Sequence, residues 1–344
     1  MTYSSKVAEC RPLDIIEKLK FFLLFESTKL NFRVSEKDFS RQSGKLSFMY
    51  YALLGISLLK NSLAIELYNS LTINKLNSIS KAAYSQGRYK IKAAFYQAWN
   101  NLLINLVYQA SNVETNGVPP SGGLDLKKWR GYFLKAIDGT SLVLPQTKGL
   151  GDYFGLHRNG TKTKIVETVM AKCLVCADVL NDYILQSEVF KTTESEISIA
   201  KTWLWQLNCD SIHIFERSAA HRGFANAAMF AYMVQNNKPF VCRLKVGFNQ
   251  VVKDFVAGNL TDTEVYFTIG KSETFVNQAL STEKDVDLAI KVIPDTLIKK
   301  GTTVLVRLVK VVLGGTPLLS GEIEVLATNL MDKTAITVAD LADL

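Results

Sequence analysis

A segment dense in Gly, Pro, Ser and Asn divides the chain into two parts with different hydrophobic patterns. The segment is SNVETNGVPPSGGLDL, at positions 111–126, and such residues favour loops. Before it, apolar residues recur at helical spacing, for example in LDIIEKLKFFLLFE. After it, short apolar runs alternate with turn residues. The pattern predicts an all-helical domain at 1–112, a linker at 113–126 and a sheet-containing domain beyond.

The part after the linker predicts strands and helices in a mixed order. We expect strands at 131–145, in TKTKIVETVMAKCLVCADVL, in DYILQSEVF, at 211–215 and at 239–246, with helices at 193–207 and in NAAMFAYMVQN. This order predicts an α/β layer over 127–246. Repeated short strands over 247–328 predict a separate β-rich unit. Residues 329–344 are typical of a helix that has just started, with Thr334 or Thr337 as its cap.

Positive charge is concentrated in the first third of the chain. Residues 1–115 contain 15 Lys and Arg against 8 Asp and Glu, a net charge of +7, whereas the remaining 229 residues contain 25 against 24, a net charge of +1. This asymmetry favours a nucleic-acid partner over a merely solvated basic surface. Arg88, Lys90 and Lys92 lie near Tyr84 and Tyr89. They suit either a phosphate backbone or a helix face with snorkelling side chains.

The chain lacks the features of secreted, membrane and zinc proteins. The N-terminus has no apolar signal segment, and the longest apolar run, FMYYALLGISLL, is shorter than a bilayer span. We therefore expect a cytoplasmic protein without a membrane partner. Cys173 and Cys176 form a CxxC inside an apolar run, and no second CxxC accompanies it. This context favours buried thiols over a zinc site.

Asp138 ends the apolar run YFLKAI and precedes Gly139. Asp-Gly is a strong turn signal, so the pair by itself predicts a hairpin turn. The strand at 211–215 also ends in charge, at Glu216. If the two strands are parallel neighbours, both carboxylates fall at the same edge of the sheet. They could then hold Mg²⁺, which supports phosphoryl transfer.

Several segments resemble, in order, the bacterial insertion-sequence transposases of the DDE class, in the group typified by the element IS-four. FSRQSGKLSFMYYALLGISLLKNSLAIEL and AYSQGRYKI are similar to the DNA-binding region of that group. AIDGTSLVLP is similar to the segment with its first catalytic aspartate. CLVCADVLNDYIL, RGFANAAMF, FVCRLK and EVLATNL resemble its later segments. The resemblance covers nearly the whole chain.

The resemblance implies an α/β fold: an RNase H-like mixed sheet with helices, preceded by the helical domain and interrupted by the β-rich insertion. It implies Mg²⁺- or Mn²⁺-dependent cleavage of element ends and strand transfer into target DNA. The expected partners are double-stranded DNA, as terminal inverted repeats and target, and a second copy in a homodimer. Asp138 would be the first metal ligand. DNA contacts are expected from Arg41, Lys45, Arg88, Lys90, Lys92, Arg217 and Arg222.

The second and third acids depart from the family pattern. The second aspartate normally opens an Asp-Arg-Gly-aromatic motif, and here either Glu216 or His221 holds its place. We expect Glu216, because a carboxylate suits Mg²⁺ and imidazole prefers softer metals. The third acid, a glutamate on a later helix, is absent from the chain, which we therefore expect to be truncated and inactive. Glu322 and Glu324 are predicted to face solvent from strands.

Three functions remain open on the sequence. The first is a DDE transposase with an incomplete site in this chain. The second is a DNA-binding protein without catalysis, either a decayed remnant or an inhibitor that occupies element ends. The third is an α/β protein of unrelated function.

Overall fold

The computed structural model describes residues 12–40, 46–57, 62–111, 124–161, 164–204, 210–215, 224–275, 295–313 and 322–344. These residues form eleven helices and a nine-stranded mixed sheet, which confirms the prediction of a mixed α/β protein. The chain divides into two compact units, Met1–Leu126 and Lys127–Leu344. Among the described helices, none combines the length and apolarity that a bilayer span requires.

The described residues of the first unit are mainly helical. The helices are α1 (Pro12–Leu24), α2 (Glu26–Phe32), α3 (Phe48–Ser57), α4 (Leu63–Ile73), α5 (Lys81–Arg88) and α6 (Ala94–Ser111). Phe95 on α6 is fully buried, and its ring contacts those of Phe22, Phe32 and Phe48 at centroid distances of 5.3–6.2 Å. The Ser80 hydroxyl caps α5 by accepting the Ala83 N–H at 3.1 Å.

The second unit contains all the described strands. They are β1 (Phe133–Val143), β2 (Leu156–Thr161), β3 (Lys164–Asp178), β4 (Tyr183–Lys191), β5 (Ser211–Phe215), β6 (Phe240–Leu244), β7 (Asp262–Thr268), β8 (Glu273–Phe275), β9 (Thr296–Ile298), β10 (Thr303–Leu313) and β11 (Glu322–Thr328). Its helices are α7 (Lys148–Phe154), α8 (Glu196–Trp203), α9 (Ala227–Gln235), α10 (Gln250–Ala257) and α11 (Val338–Ala342).

Three antiparallel strands and two parallel strands form the centre of the large sheet. β1 pairs antiparallel with β3, and β3 pairs antiparallel with β4. On its other side β1 pairs parallel with β5, which pairs parallel with β6. The helix α8 lies in the chain between β4 and β5, and α9 lies between β5 and β6. The sheet therefore has the central order β4-β3-β1-β5-β6.

The segment that we expected to be a separate β-rich unit mostly extends this same sheet. β11 pairs antiparallel with β6, and β10 lies between β11 and β7. Only β8 and β9, among the described strands, form a sheet of their own. The expectation was wrong because β6 would otherwise be an unpaired edge, and β11 covers it with backbone hydrogen bonds.

The two faces of the sheet pack against different elements. Ile137, Phe215 and Cys242 point to a core that includes residues of α8 and α9. The alternate positions, such as Ile212 and Val241, point to the other face, where the C-terminal segment after β11 covers them. In that segment α11 begins with a capping box between Thr337 and Asp340, as one of the two predicted caps.

Candidate active site

Asp138 lies inside a continuous strand and not in a turn. β1 pairs with β3 without interruption from Lys135 to Val143, and Asp138 lies opposite Val175. The predicted hairpin turn is wrong because the pairing with β3 continues across Gly139. Asp138 is exposed, and its Oδ1 accepts the N–H of Gly139 at 2.7 Å. The strand thus presents a carboxylate directly after buried Ile137.

The strand that precedes the second candidate acid is the parallel neighbour of β1. The register pairs Ile137 with Phe215, the last described residue of β5. Asp138 therefore directly follows the end of the described parallel pairing. Six further site predictions lie outside the described residues, namely Glu216, Arg217, His221, Arg222, Arg41 and Lys45.

A cavity of about 360 Å³ opens beside Asp138. The described residues that line it come from five strands of the sheet, β1, β5, β6, β10 and β11, and from the C-terminal segment. Its ionisable side chains are Asp138, Arg243 and Glu324, and its apolar wall includes Ile214, Val311, Leu326, Leu341 and Leu344. A carboxylate in a partly apolar concave site is the usual setting of a binding or catalytic group.

Arg243 and Glu324 form an ion pair in the wall of this cavity. The Arg243 side chain is 28% exposed and the Glu324 side chain is 10% exposed. The prediction that Glu322 and Glu324 both face solvent is correct for Glu322 and wrong for Glu324. The reason is the pairing of β11 with β6, which brings Arg243 beside Glu324 on a face that the C-terminal segment partly covers.

Glu196, the first residue of α8, places its carboxylate against the backbone of Gly139. A Cβ on Gly139 would lie 2.6 Å from the Glu196 Cδ. Only a glycine lets the carboxylate approach β1 this closely. Glu196 lies in the first turn of α8, where the helix dipole favours acids, but the sequence contains no signal for this tertiary contact. Because successive residues of a strand face opposite sides of the sheet, this carboxylate lies on the α8 face and not in the cavity beside Asp138.

The CxxC pair does not resemble a metal site. Both are free thiols, and the predicted burial is confirmed for Cys176, whereas Cys173 is half-buried. Burial raises the pKa of the Cys176 thiol to about 11, so it stays protonated near neutral pH. A thiol must lose its proton to bind a metal. Within the described ranges, no three His, Cys, Asp or Glu side chains converge to hold an ion.

The basic residues predicted on one helix of the first unit are divided between a helix and a connection. Arg88 is the last residue of α5, whereas Lys90 and Lys92 lie in the connection to α6. All three are exposed, and Arg88 lies over the exposed ring of Tyr89 at 5.3 Å. Tyr84 cannot stack on a sugar because it is fully buried.

Backbone hydrogen bonds fix this basic connection. The N–H of Lys92 donates to the Phe32 carbonyl at 2.8 Å, and the N–H of Val34 donates to the Lys90 carbonyl at 2.9 Å. The Lys90 ammonium lies 3.8 Å from Asp38, and the Lys92 ammonium donates to the Asn31 carbonyl at 2.9 Å. We call Arg88, Lys90 and Lys92 the basic cluster.

No protein-family model matches the chain, and no curated protein matches it in sequence. The functional conclusion therefore depends on the residues and their arrangement.

Proposed function

We propose that the chain is a DNA transposase of the DDE class, which cleaves DNA at element ends and joins it to target DNA. The observation that carries the proposal is the position of Asp138. It directly follows the parallel pairing of β1 with β5, and it faces a cavity. The segments that resemble transposases gave the same residue as first acid. A cytoplasmic location and a homodimer on paired DNA ends belong to the same proposal.

The order of the strands supports an RNase H-like core. Such a core has three antiparallel strands followed, across the first strand, by two strands parallel to it, with a helix before each parallel strand. β4-β3-β1-β5-β6, with α8 and α9 as the intervening helices, agrees with that description. In this arrangement the first strand carries the first metal-binding acid at the level where the parallel strands end.

The donor set at Asp138 fits Mg²⁺ or Mn²⁺. Mg²⁺ prefers oxygen ligands and is often held by only one or two carboxylates together with water and substrate phosphates. Asp138 offers one carboxylate, and we assign the second to Glu216, with His221 as the alternative. When bound, the ion stabilises the attacking and leaving oxygens of an in-line displacement at phosphorus. Asp138 itself orients its carboxylate through the Gly139 N–H.

The test is metal-dependent DNA cleavage by the full chain, and it also tests the expectation, drawn from the resemblance, that this chain is inactive. The substrate is a supercoiled plasmid that carries the DNA flanking the gene, incubated with Mg²⁺ or with Mn²⁺. Asp138→Asn should lower cleavage by about 100-fold or more, because it removes a ligand charge from the ion. Asp152→Asn is the matched control, since Asp152 is exposed on α7 in the same unit. Cleavage that persists in Asp138→Asn would refute the proposal.

A DNA-binding protein without catalysis is the second candidate, and the basic cluster favours it. Three exposed cations beside an exposed tyrosine suit the phosphate backbone of a duplex. Such a protein could be a decayed remnant or could occupy element ends as an inhibitor. This function predicts salt-dependent DNA binding in the absence of any Asp138-dependent cleavage.

Salt titration tests the basic cluster. Replacing Arg88, Lys90 and Lys92 by Gln should reduce the slope of log Kobs against log salt by about 2.7, since each phosphate contact contributes roughly 0.9. The control is the triple replacement of Lys20, Lys75 and Lys81, which are exposed elsewhere in the first unit. An equal change of slope in both triple variants would show that only net charge matters and would exclude a defined site.

A further inference from the structure

The pair of Arg243 and Glu324 lies level with Asp138 on the same face of the sheet. The register pairs Ile137 with Phe215 and Phe215 with Cys242, so Asp138 and Arg243 are the next residues on β1 and β6. Two strand spacings separate their backbones by roughly 10 Å. Both side chains line the same cavity. A ligand that spans this distance could contact both.

The chemistry of Arg243 points to a phosphodiester. A guanidinium binds phosphate oxygens through a planar fork of N–H donors, and it is the preferred side chain for this purpose. The partner Glu324 holds the guanidinium in the cavity wall at partial burial, which reduces the conformational entropy lost when an anion binds. The site is therefore organised before its ligand arrives.

The charge of the cavity makes anion binding depend on a cation. The described ionisable side chains are two carboxylates and one guanidinium, which give a formal charge of −1. A phosphodiester is repelled by this balance. One divalent cation at Asp138 raises the formal charge by two, to +1 for these side chains or to zero when Glu216, the second ligand assigned above, is counted. The repulsion of the phosphodiester is then removed.

We infer that Arg243 and Glu324 form a cation-gated phosphodiester site. Arg243 binds the phosphodiester, and Glu324 both positions the guanidinium and suppresses anion binding until a divalent cation enters beside Asp138. This inference rests on the proposed function, because it places the DNA strand in the Asp138 cavity. It assigns two residues that the sequence left without a role in the site.

The experiment uses the full chain and a probe with a single phosphodiester, the dinucleotide thymidylyl-(3′,5′)-thymidine. Its affinity is measured by ligand-observed NMR titration with and without Mg²⁺. The double variant Arg243→Gln/Glu324→Gln removes the guanidinium while it preserves the formal charge of −1. The matched control is Arg158→Gln/Glu167→Gln, because Arg158 and Glu167 form a similar pair across β2 and β3.

The wild-type chain should bind the dinucleotide in Mg²⁺ and bind it at least about tenfold more weakly without it, as expected for a charge-assisted contact. The double variant of the cavity should lose the Mg²⁺-dependent binding, and the Arg158 control should retain it. Glu324→Gln alone should depend less on Mg²⁺ for dinucleotide binding than the wild-type chain, because its cavity carries one negative charge fewer.

Three results would overturn the inference: no Mg²⁺-dependent binding by the wild-type chain, wild-type affinity in the double variant, or a Glu324→Gln variant with the same Mg²⁺ dependence as the wild-type chain. A titration with Mn²⁺, followed by electron paramagnetic resonance, measures cation binding directly and tests whether Glu324 is itself a ligand of the cation. Weaker Mn²⁺ binding by Glu324→Gln would make Glu324 a cation ligand and would also overturn the assigned role.

The outcome is separable from the proposed function. Retained Mg²⁺-dependent dinucleotide binding without Asp138-dependent DNA cleavage would remove the transposase proposal and leave the phosphodiester site. Asp138-dependent cleavage together with unchanged dinucleotide binding by the double variant would remove only the present inference.

Discussion

Two arginine–carboxylate pairs on the large sheet differ in burial and in what surrounds them. Arg307 on β10 is fully buried, and its Nε and Nη2 donate to the two oxygens of Asp262 at 3.0 and 2.7 Å. Arg243 on β6 is 28% exposed and lies in the cavity wall with Glu324. An arginine and a carboxylate thus form a buried structural contact in one place and a partly exposed site in the other.

The backbone contacts of Arg307 explain its closed environment. Its Nη1 donates to the carbonyls of Leu330 and Ile336 at 2.9 and 2.8 Å. The guanidinium therefore ties the segment before α11 to β10 and β7. A buried pair of this kind contributes little compared with an apolar replacement of both partners, but loss of one partner is costly because a buried charge is left without compensation.

The largest expected effect is the loss of stability in Arg307→Ala. It should lower the free energy of unfolding by about 3–5 kcal/mol, since it leaves two carbonyls without their donor and leaves Asp262 with only the partly exposed Lys333 as a partner. Arg243→Ala should cost only about 1–2 kcal/mol, because water can enter the cavity and solvate Glu324. Urea unfolding followed by circular dichroism measures both. Equal losses would show that burial does not distinguish the two pairs.

His213 extends the comparison, because it is an ionisable side chain buried in the same sheet whose imidazole stays neutral. It is fully buried on β5, and its Nδ1 donates to the Pro239 carbonyl at 2.9 Å. Burial lowers its pKa from 6.5 to about 3, with further lowering from the charges of Lys135 and Lys238. The hydrogen bond to the Pro239 carbonyl and the charge of Asp210 act in the opposite direction.

The expected consequence of this lowered pKa is a loss of stability in acid. Below about pH 6.5 the His213 imidazole binds a proton in the unfolded chain but not in the folded chain. The free energy of unfolding therefore falls as the pH decreases toward 3. His213→Asn retains a donor for the Pro239 carbonyl and should flatten this pH dependence. Urea midpoints from pH 7 to pH 4 measure it. If the urea midpoint of the variant changes with pH as steeply as that of the wild-type chain, groups other than His213 cause the acid sensitivity.

Local signals in the sequence were sufficient for most elements. Residues 211–215 form β5 as predicted, and α9 begins after Asn226, whose side chain accepts the Ala228 N–H at 2.8 Å. Ser80 and Thr337 cap helices because a cap needs only its own next three residues. Such features depend on neighbours in the chain, and so the sequence contains all that determines them.

Tertiary contacts account for the predictions that were wrong. Asp138 and Gly139 have the composition of a turn, but the long pairing with β3 extends the strand through them. Tyr84 has the spacing of a surface residue beside cations, but its ring stacks on Tyr51 of α3 at 5.7 Å. Glu324 alternates with apolar residues like a solvent-facing position, and only the neighbouring strand supplies Arg243. A single sequence does not specify which partner covers a face.

The smallest expected effect concerns the stability that the Arg307–Asp262 pair contributes at low pH. Burial of Asp262 by itself raises the pKa of the carboxyl, but the hydrogen bonds and positive charge of Arg307, with the charge of Lys333, outweigh it and lower the pKa below 3.8. The corresponding stability is present above the unfolded pKa and is lost as the pH falls through the lower folded pKa.

Asp262→Asn should therefore be less stable than the wild-type chain at pH 6, and this difference should narrow between pH 4 and pH 2. Unfolding by urea at each pH measures the narrowing, and Asp254→Asn on α10 serves as the control because Asp254 is exposed. If the difference between Asp262→Asn and wild type stays constant down to pH 2, the pair contributes through hydrogen-bond geometry and not through charge. Arg307 would then stabilise the fold as a hydrogen-bond donor whose charge adds nothing. Its contrast with Arg243 would depend only on the exposure of the Arg243 side chain to the cavity.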